Sequence, residues 1–110
     1  MLATKRPYFV ISGGIWDGLK IQLSHRPMVV GRHTNSDIII EQPTVSRRHA
    51  LISETPRGVV IRDLHSANGT YVNDRNIGTE DCLLKDGDRI RLAAGTIALV
   101  VRQESAIAVA

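Results

Sequence analysis

The chain has 110 residues, 43% of them apolar, and carries 14 Lys and Arg against 11 Asp and Glu, a net charge of +3. That length fits one domain around one core, with little room for a second. No stretch approaches the ~20 consecutive apolar residues of a membrane-spanning helix, and so mild a charge does not by itself drive binding to DNA or a membrane.

Short apolar runs rich in β-branched residues follow one another along the chain, punctuated by Gly and Pro. The first covers residues 8–11 and stops at Gly13-Gly14. The second, residues 19–23, reads Leu19-Lys20-Ile21-Gln22-Leu23 and alternates apolar and polar as a half-buried strand does. Runs at 28–30 and 37–40 flank a polar loop that begins at Gly31. Residues 44–55 hold no Gly or Pro, and Arg47-Arg48-His49-Ala50-Leu51 tolerates helix. The apolar residues there are consecutive instead of spaced at three and four, and short strands flank them, so a strand is predicted over 49–53. Further runs lie at 59–61, 89–92 and 96–101. Regular short strands with turn signals between them predict an all-β sandwich or barrel over residues 1–102. Residues 103–110 have no evident partner and read as a frayed end or the start of a linker. There is no internal repeat and no low-complexity block. No apolar block opens the chain as a signal peptide would, and the single Cys82 closes no intrachain disulfide, so the expected compartment is the cytoplasm.

The polar residues that offer chemistry cluster in two loops. The first runs Gly31-Arg32-His33-Thr34-Asn35-Ser36-Asp37 and leads through a short apolar strand to Thr44-Val45-Ser46-Arg47-Arg48-His49. The second is His65-Ser66-Ala67-Asn68-Gly69-Thr70. Each follows a strand-like run, and loops on a rigid scaffold are where binding residues concentrate. The chemistry on offer is anion binding. Arg32, Arg47 and Arg48 carry fixed charge on planar donor forks that suit phosphate oxygens. Ser46 adds a hydroxyl, and Asn68 an amide that both donates and accepts. Against this stands the plainer interpretation that Arg47 and Arg48 are a solvated surface pair, and that Ser and Asn are turn formers. His49, three residues after Ser46, is placed to brace its loop by hydrogen bonds to backbone. His33 and His65 read as surface residues.

The series Gly31-Arg32, Ser36-Asp37-Ile38, Val45-Ser46-Arg47-Arg48-His49-Ala50, Asp63 through Asn73 and Leu84-Lys85-Asp86-Gly87-Asp88-Arg89-Ile90 resembles the forkhead-associated (FHA) domain. Order and spacing match from Gly31 to Leu92. The resemblance implies a two-sheet β-sandwich of about eleven strands with a ligand held by loops at one end. It implies phosphothreonine-dependent protein recognition, downstream of a Ser/Thr kinase, without catalysis, cofactor, metal or membrane contact. By motif position, Arg32 and Ser46 would grip the phosphate and Arg47 would add a second contact. Asn68 would hydrogen-bond the peptide backbone beside the phosphothreonine. Thr44 and Ala67 stand where secondary contacts would arise, and Ala67 lacks the hydroxyl of the Thr common at its position. Gly31, His49, Gly69 and Asn73 match residues that shape the loops.

Three other functions compete with this one. Ser46 and His49 with Asp37 or Asp63 resemble the parts of a hydrolase triad, but no GxSxG elbow is present. The four His and one Cys show no zinc-ligand spacing. Nucleic-acid binding is the more serious alternative, because three arginines are able to track a phosphate backbone. Aromatics are only 4%, however, so stacking platforms are scarce, and the basic residues form no stripe.

Overall fold

A computed structural model of the chain describes residues 6–103; residues 1–5 and the predicted tail from 104 onward lie outside the described residues. Among the described residues there are eleven strands and no helix. They are β1 (Tyr8–Ser12), β2 (Lys20–Gln22), β3 (Met28–Gly31), β4 (Ile38–Ile39), β5 (Ala50–Thr55), β6 (Gly58–Asp63), β7 (Thr70–Val72), β8 (Arg75–Asn76), β9 (Cys82–Leu83), β10 (Arg89–Leu92) and β11 (Ala98–Arg102). Every apolar run of the sequence contains a strand. The segment that tolerates helix is β5, because its alternate residues Ala50 and Ile52 face the core. The strand predicted over 49–53 starts one residue later and runs two further.

Two sheets result, in the orders β2-β1-β11-β10-β7-β8 and β4-β3-β5-β6-β9. Neighbours pair antiparallel except β3 with β4. Period-two alternation turns Phe9, Ile11, Ile90, Leu92, Leu99 and Val101 of one sheet toward Val30, Ile52, Val59 and Ile61 of the other, all buried. This is the sandwich expected from the sequence, closed around one hydrophobic cluster.

Strand directions gather the loops. At one end lie the β1–β2 hairpin tip and the β3–β4, β4–β5, β6–β7 and β10–β11 loops. Hydrogen bonds and close contacts lock them together: Ala93 N donates to Gly69 O at 2.8 Å, and the Thr96 carbonyl oxygen lies 3.0 Å from where a Cβ on Gly13 would stand. Gly95 lies against Gln42 across the two sheets. The other end holds the start of β1 and the finish of β11, where Tyr8 pairs with Arg102. Beyond β11, Gln103 N donates to Asp86 Oδ1 at 2.8 Å.

Candidate functional site

The site begins with a glycine that has no room to be anything else. A Cβ on Gly31 would stand 2.1 Å from the Arg47 carbonyl oxygen. That close approach lets the end of β3 zip onto the β4–β5 loop. Arg32 N donates to Ser46 O at 3.0 Å, and His33 N to Arg47 O at 3.2 Å. The Ser36 hydroxyl donates to the same Arg47 carbonyl at 3.2 Å.

Arg32 is anchored by its Nε, which donates to Val45 O at 2.9 Å. That bond restrains the guanidinium plane of the exposed side chain and leaves both terminal nitrogens without a partner among the described residues. Among the described residues, no carboxylate pairs with Arg32, Arg47 or Arg48. Arg6, Arg62, Arg91 and Arg102 are instead matched with Glu54, Asp81, Asp74 and Asp86. The exposed Arg47 and Arg48 flank a shallow cleft of about 280 Å³ together with His33 and Asn35.

The half-buried Ser46 has its hydroxyl oriented by a neighbour: Ala67 N donates to Ser46 Oγ at 3.0 Å, which leaves the hydroxyl proton free to donate. Position 67 therefore contributes through its main chain and needs no side-chain hydroxyl for this contact. Asn68 Nδ2 donates to Thr44 O at 2.8 Å, tying the β6–β7 loop to the β4–β5 loop and leaving the amide oxygen unused by any described residue.

Beneath these groups lies His49, fully buried. Its Nδ1 accepts from Ser46 N at 3.0 Å, and its Nε2 lies 2.7 Å from Gly69 O. A carbonyl only accepts, so the proton sits on Nε2. Both ring nitrogens are thus committed to main-chain groups, and neither faces the Ser46 hydroxyl. Nothing here activates that serine as a nucleophile.

Asp63 forms the second anchor. It accepts from Ser66 N at 3.0 Å, Ser66 Oγ at 2.5 Å and Thr70 Oγ1 at 2.7 Å. Gly69 N completes the turn by donating to Ser66 Oγ at 2.9 Å. Burial pushes the Asp63 carboxyl up, but these bonds and the nearby His49 outweigh it and hold the group below the usual carboxylate range. Gly69 sits at φ 86°, a left-handed conformation that favours glycine.

The structure thus brings Gly31, Arg32, Thr44, Ser46, Arg47, His49, Ala67, Asn68 and Gly69 to one end. Asn73 lies apart, beyond the far end of β7. With Asp74 it makes the β7–β8 turn at φ 51° and 69°, and its side chain bonds Asp88 Oδ1 and Arg89 N. Sequence reading missed Ser36 and the Asp63–Ser66–Thr70 anchor. The available signal was Asp63-x-x-Ser66, a side chain positioned to cap its own turn. Among the described residues, no cluster of three His, Cys, Asp or Glu is placed to hold a metal ion.

What results is a rigid surface bearing guanidinium forks, one free hydroxyl and one amide, with no carboxylate paired to its arginines. The profile of the FHA domain matches residues 28–93. The ABC transporter ATP-binding/permease protein Rv1747 of Mycobacterium tuberculosis is 42% identical over 71 residues, which cover 64% of this chain and 8% of the transporter. The transcriptional regulatory protein EmbR of the same organism is 41% identical over 63 residues, 57% of this chain and 16% of EmbR. EmbR solved in complex with a low-affinity phosphopeptide superposes with a TM-score of 0.77 at 31% identity, over 91% of this chain and 24% of EmbR. A structure from work on phosphothreonine-dependent FHA domain interactions gives 0.79 at 29% identity, covering 94% of this chain and 99% of that one. The chain spans a small part of these two curated relatives and nearly all of the isolated solved domain, and it belongs to the FHA domain family.

Proposed function

We propose that this domain recognises phosphothreonine in a partner protein and catalyses nothing itself. The observation that carries the reading is the set of unpaired donors at the loop-bearing end. Arg32 holds its guanidinium plane by Nε and presents two terminal nitrogens, Ser46 presents an oriented hydroxyl proton, and Arg47 stands beside them unpaired. A phosphate dianion brings about −1.5 to −2 charges and several acceptor oxygens to such a surface. Each charge-assisted hydrogen bond is worth ~1.5–3 kcal/mol net. Three of them, less ordering costs, match an affinity near ~1 μM, or about −8 kcal/mol. Asn68, its amide oxygen unused by described residues, reads the peptide backbone alongside. The likeness to EmbR, solved with a phosphopeptide, supports the same ligand class.

The association is reversible, switched on by a Ser/Thr kinase and off by a phosphatase. The unpaired Cys82 fits the reducing cytoplasm where such kinases act. No helix of the described residues is long and apolar enough to cross a membrane.

The test is calorimetry against one peptide carrying Thr, phosphothreonine, phosphoserine or Asp. Wild type binds the phosphothreonine form and loses affinity for phosphoserine, which lacks one methyl worth ~0.8 kcal/mol. Binding to Asp nearly vanishes, since one carboxylate lacks the charge and the third oxygen. Arg32→Ala abolishes binding, and Arg32→Lys recovers only a small part because an ammonium cannot copy the fork. Equal affinity for the unphosphorylated peptide, or undiminished binding by Arg32→Ala, overturns the reading. A nucleic acid that competes with the phosphopeptide at physiological salt would favour the alternative.

A further inference from the structure

The loop-bearing end carries a second surface that phosphate recognition leaves unused. At the β1–β2 hairpin tip, Ile15 is 91% exposed and Trp16, the one tryptophan of the chain, is 61% exposed. They overhang a cleft of about 420 Å³ lined also by Ile11, Gly13, Ile39, Ile40, Glu41 and Ile97. The cleft is a seam between the sheets. Ile11 lies in β1 and Ile97 just before β11, whereas Ile39 belongs to the edge strand β4 of the other sheet and is itself 41% exposed. An exposed aromatic beside exposed aliphatics is the composition of an interface anchor.

The tip is a built structure. Gly13 N donates to Asp17 Oδ1 at 2.7 Å, Gly18 N to Ile11 O at 2.7 Å, and Leu19 N to Trp16 O at 2.9 Å. Ile15 and Trp16 are therefore presented on a fixed backbone, which lowers the ordering cost of binding.

Location decides the occupant. Ile40, on the wall of the cleft, is four residues from Thr44, whose carbonyl holds Asn68. Their Cα atoms are thus at most ~14 Å apart, at ~3.6 Å per residue. Two local bonds, Gln42 N to Ile40 O and Val45 N to Gln42 O, both at 3.0 Å, fold that stretch shorter still. An extended peptide covers the span in about four to six residues. One half of this face is cationic and the other apolar apart from Glu41 at its edge, so a single ligand chain with one phosphate and one apolar stretch matches both.

Resting on the phosphothreonine reading above, we infer that Ile15, Trp16 and the cleft beneath them hold an apolar segment of the same phosphorylated partner, a few residues from its phosphothreonine. Partner choice then depends on two marks joined by a short tether, which multiplies affinity without a second phosphate.

The test compares a short phosphothreonine peptide with two versions of it, extended on the N-terminal or the C-terminal side by a Leu-, Ile- and Phe-rich segment. Calorimetry covers wild type, Ile15→Ser and Trp16→Ser. These exposed substitutions leave the core intact. One extended peptide is expected to bind wild type about tenfold tighter than the short one. It should also shift Trp16 fluorescence to the blue, which the short peptide does not. Trp16→Ser removes the gain and keeps the affinity for the short peptide. Failure of the short peptide to bind wild type removes the phosphothreonine reading and the inference with it. A short peptide that binds, with no gain from either extension or a gain that survives Trp16→Ser, overturns the inference alone. A fluorescence shift that grows with protein concentration in the absence of peptide assigns the face to a second copy of the chain and overturns it too.

Discussion

Replacing His49 by alanine tests the division between residues that touch ligand and residues that hold the loops. The ring is fully buried and bridges Ser46 N and Gly69 O, one group from each ligand-bearing loop. Truncation leaves Ser46 N without its partner, at ~1–3 kcal/mol, while Gly69 O keeps the bond from Ala93 N. The space left by the ring adds a packing loss. The sum is about 3–5 kcal/mol, against a total of ~5–15 kcal/mol for a typical domain. At ~4–8 °C per kcal/mol for a small domain, the melting midpoint should fall by about 12–40 °C. His49→Gln, whose amide oxygen is able to accept from Ser46 N, should recover part of that. Thermal and urea unfolding give the stability change, and calorimetry well below the midpoint gives affinity per folded molecule, which should change far less. An unchanged midpoint with abolished phosphopeptide binding would refute the reasoning and move His49 into direct ligand contact.

Gly31→Ala should cost at least ~2 kcal/mol of stability and weaken phosphopeptide binding together, because its new methyl meets the Arg47 carbonyl at 2.1 Å and one of the two backbones must shift. A variant with wild-type melting and binding would show that the loops tolerate separation. Asn68→Ala should weaken phosphopeptide binding by at least ~1 kcal/mol with little change in melting, since the bond it loses to Thr44 O is solvent-exposed. A collapse in thermal stability instead would make Asn68 structural. Asp63 contributes acid sensitivity: its folded pKa lies below the unfolded value near 3.8, so its stabilisation is intact above that value and lost as pH falls through the folded one. Asp63→Asn should therefore melt lower than wild type at neutral pH and show a shallower decline as pH falls below the unfolded value. Parallel pH profiles for the two proteins would exclude Asp63 as the source.

Most strands were legible in the sequence from their apolar runs; the three short ones β7, β8 and β9 were not. β8 consists of Arg75 and Asn76, both exposed, so no apolar pattern marks it. β9 has two residues, and β7 offers three inside a stretch dominated by loop-forming polar residues. These strands form because their neighbours supply the pairing: β7 lies between β10 and β8, and β9 lies along β6. At the site, the chemical nature of Arg32, Ser46 and Asn68 was visible, but the reason for their readiness was not. The Nε bond to Val45, the Ala67 N–H on the Ser46 hydroxyl and the burial of His49 are properties of three loops, β3–β4, β4–β5 and β6–β7, that meet only in the fold. Local spacing carries no information about such meetings. The exposed Trp16 also passed without signal, because a lone aromatic in a turn reads the same whether it faces water or core.

The pairing of Tyr8 with Arg102 sets how this domain sits within a longer polypeptide. Paired antiparallel residues lie ~5 Å apart, so a host chain that enters at β1 and leaves at β11 does both at nearly one point. Every loop assigned to recognition lies at the opposite pole, a strand length of about 17 Å away. Insertion therefore tethers the domain by its back, as a plug hangs from a two-core cable, and leaves its prongs facing outward. Linker length then sets the local concentration of the recognition face around a phosphorylated neighbour, and the sandwich can be moved between hosts without remodelling a loop.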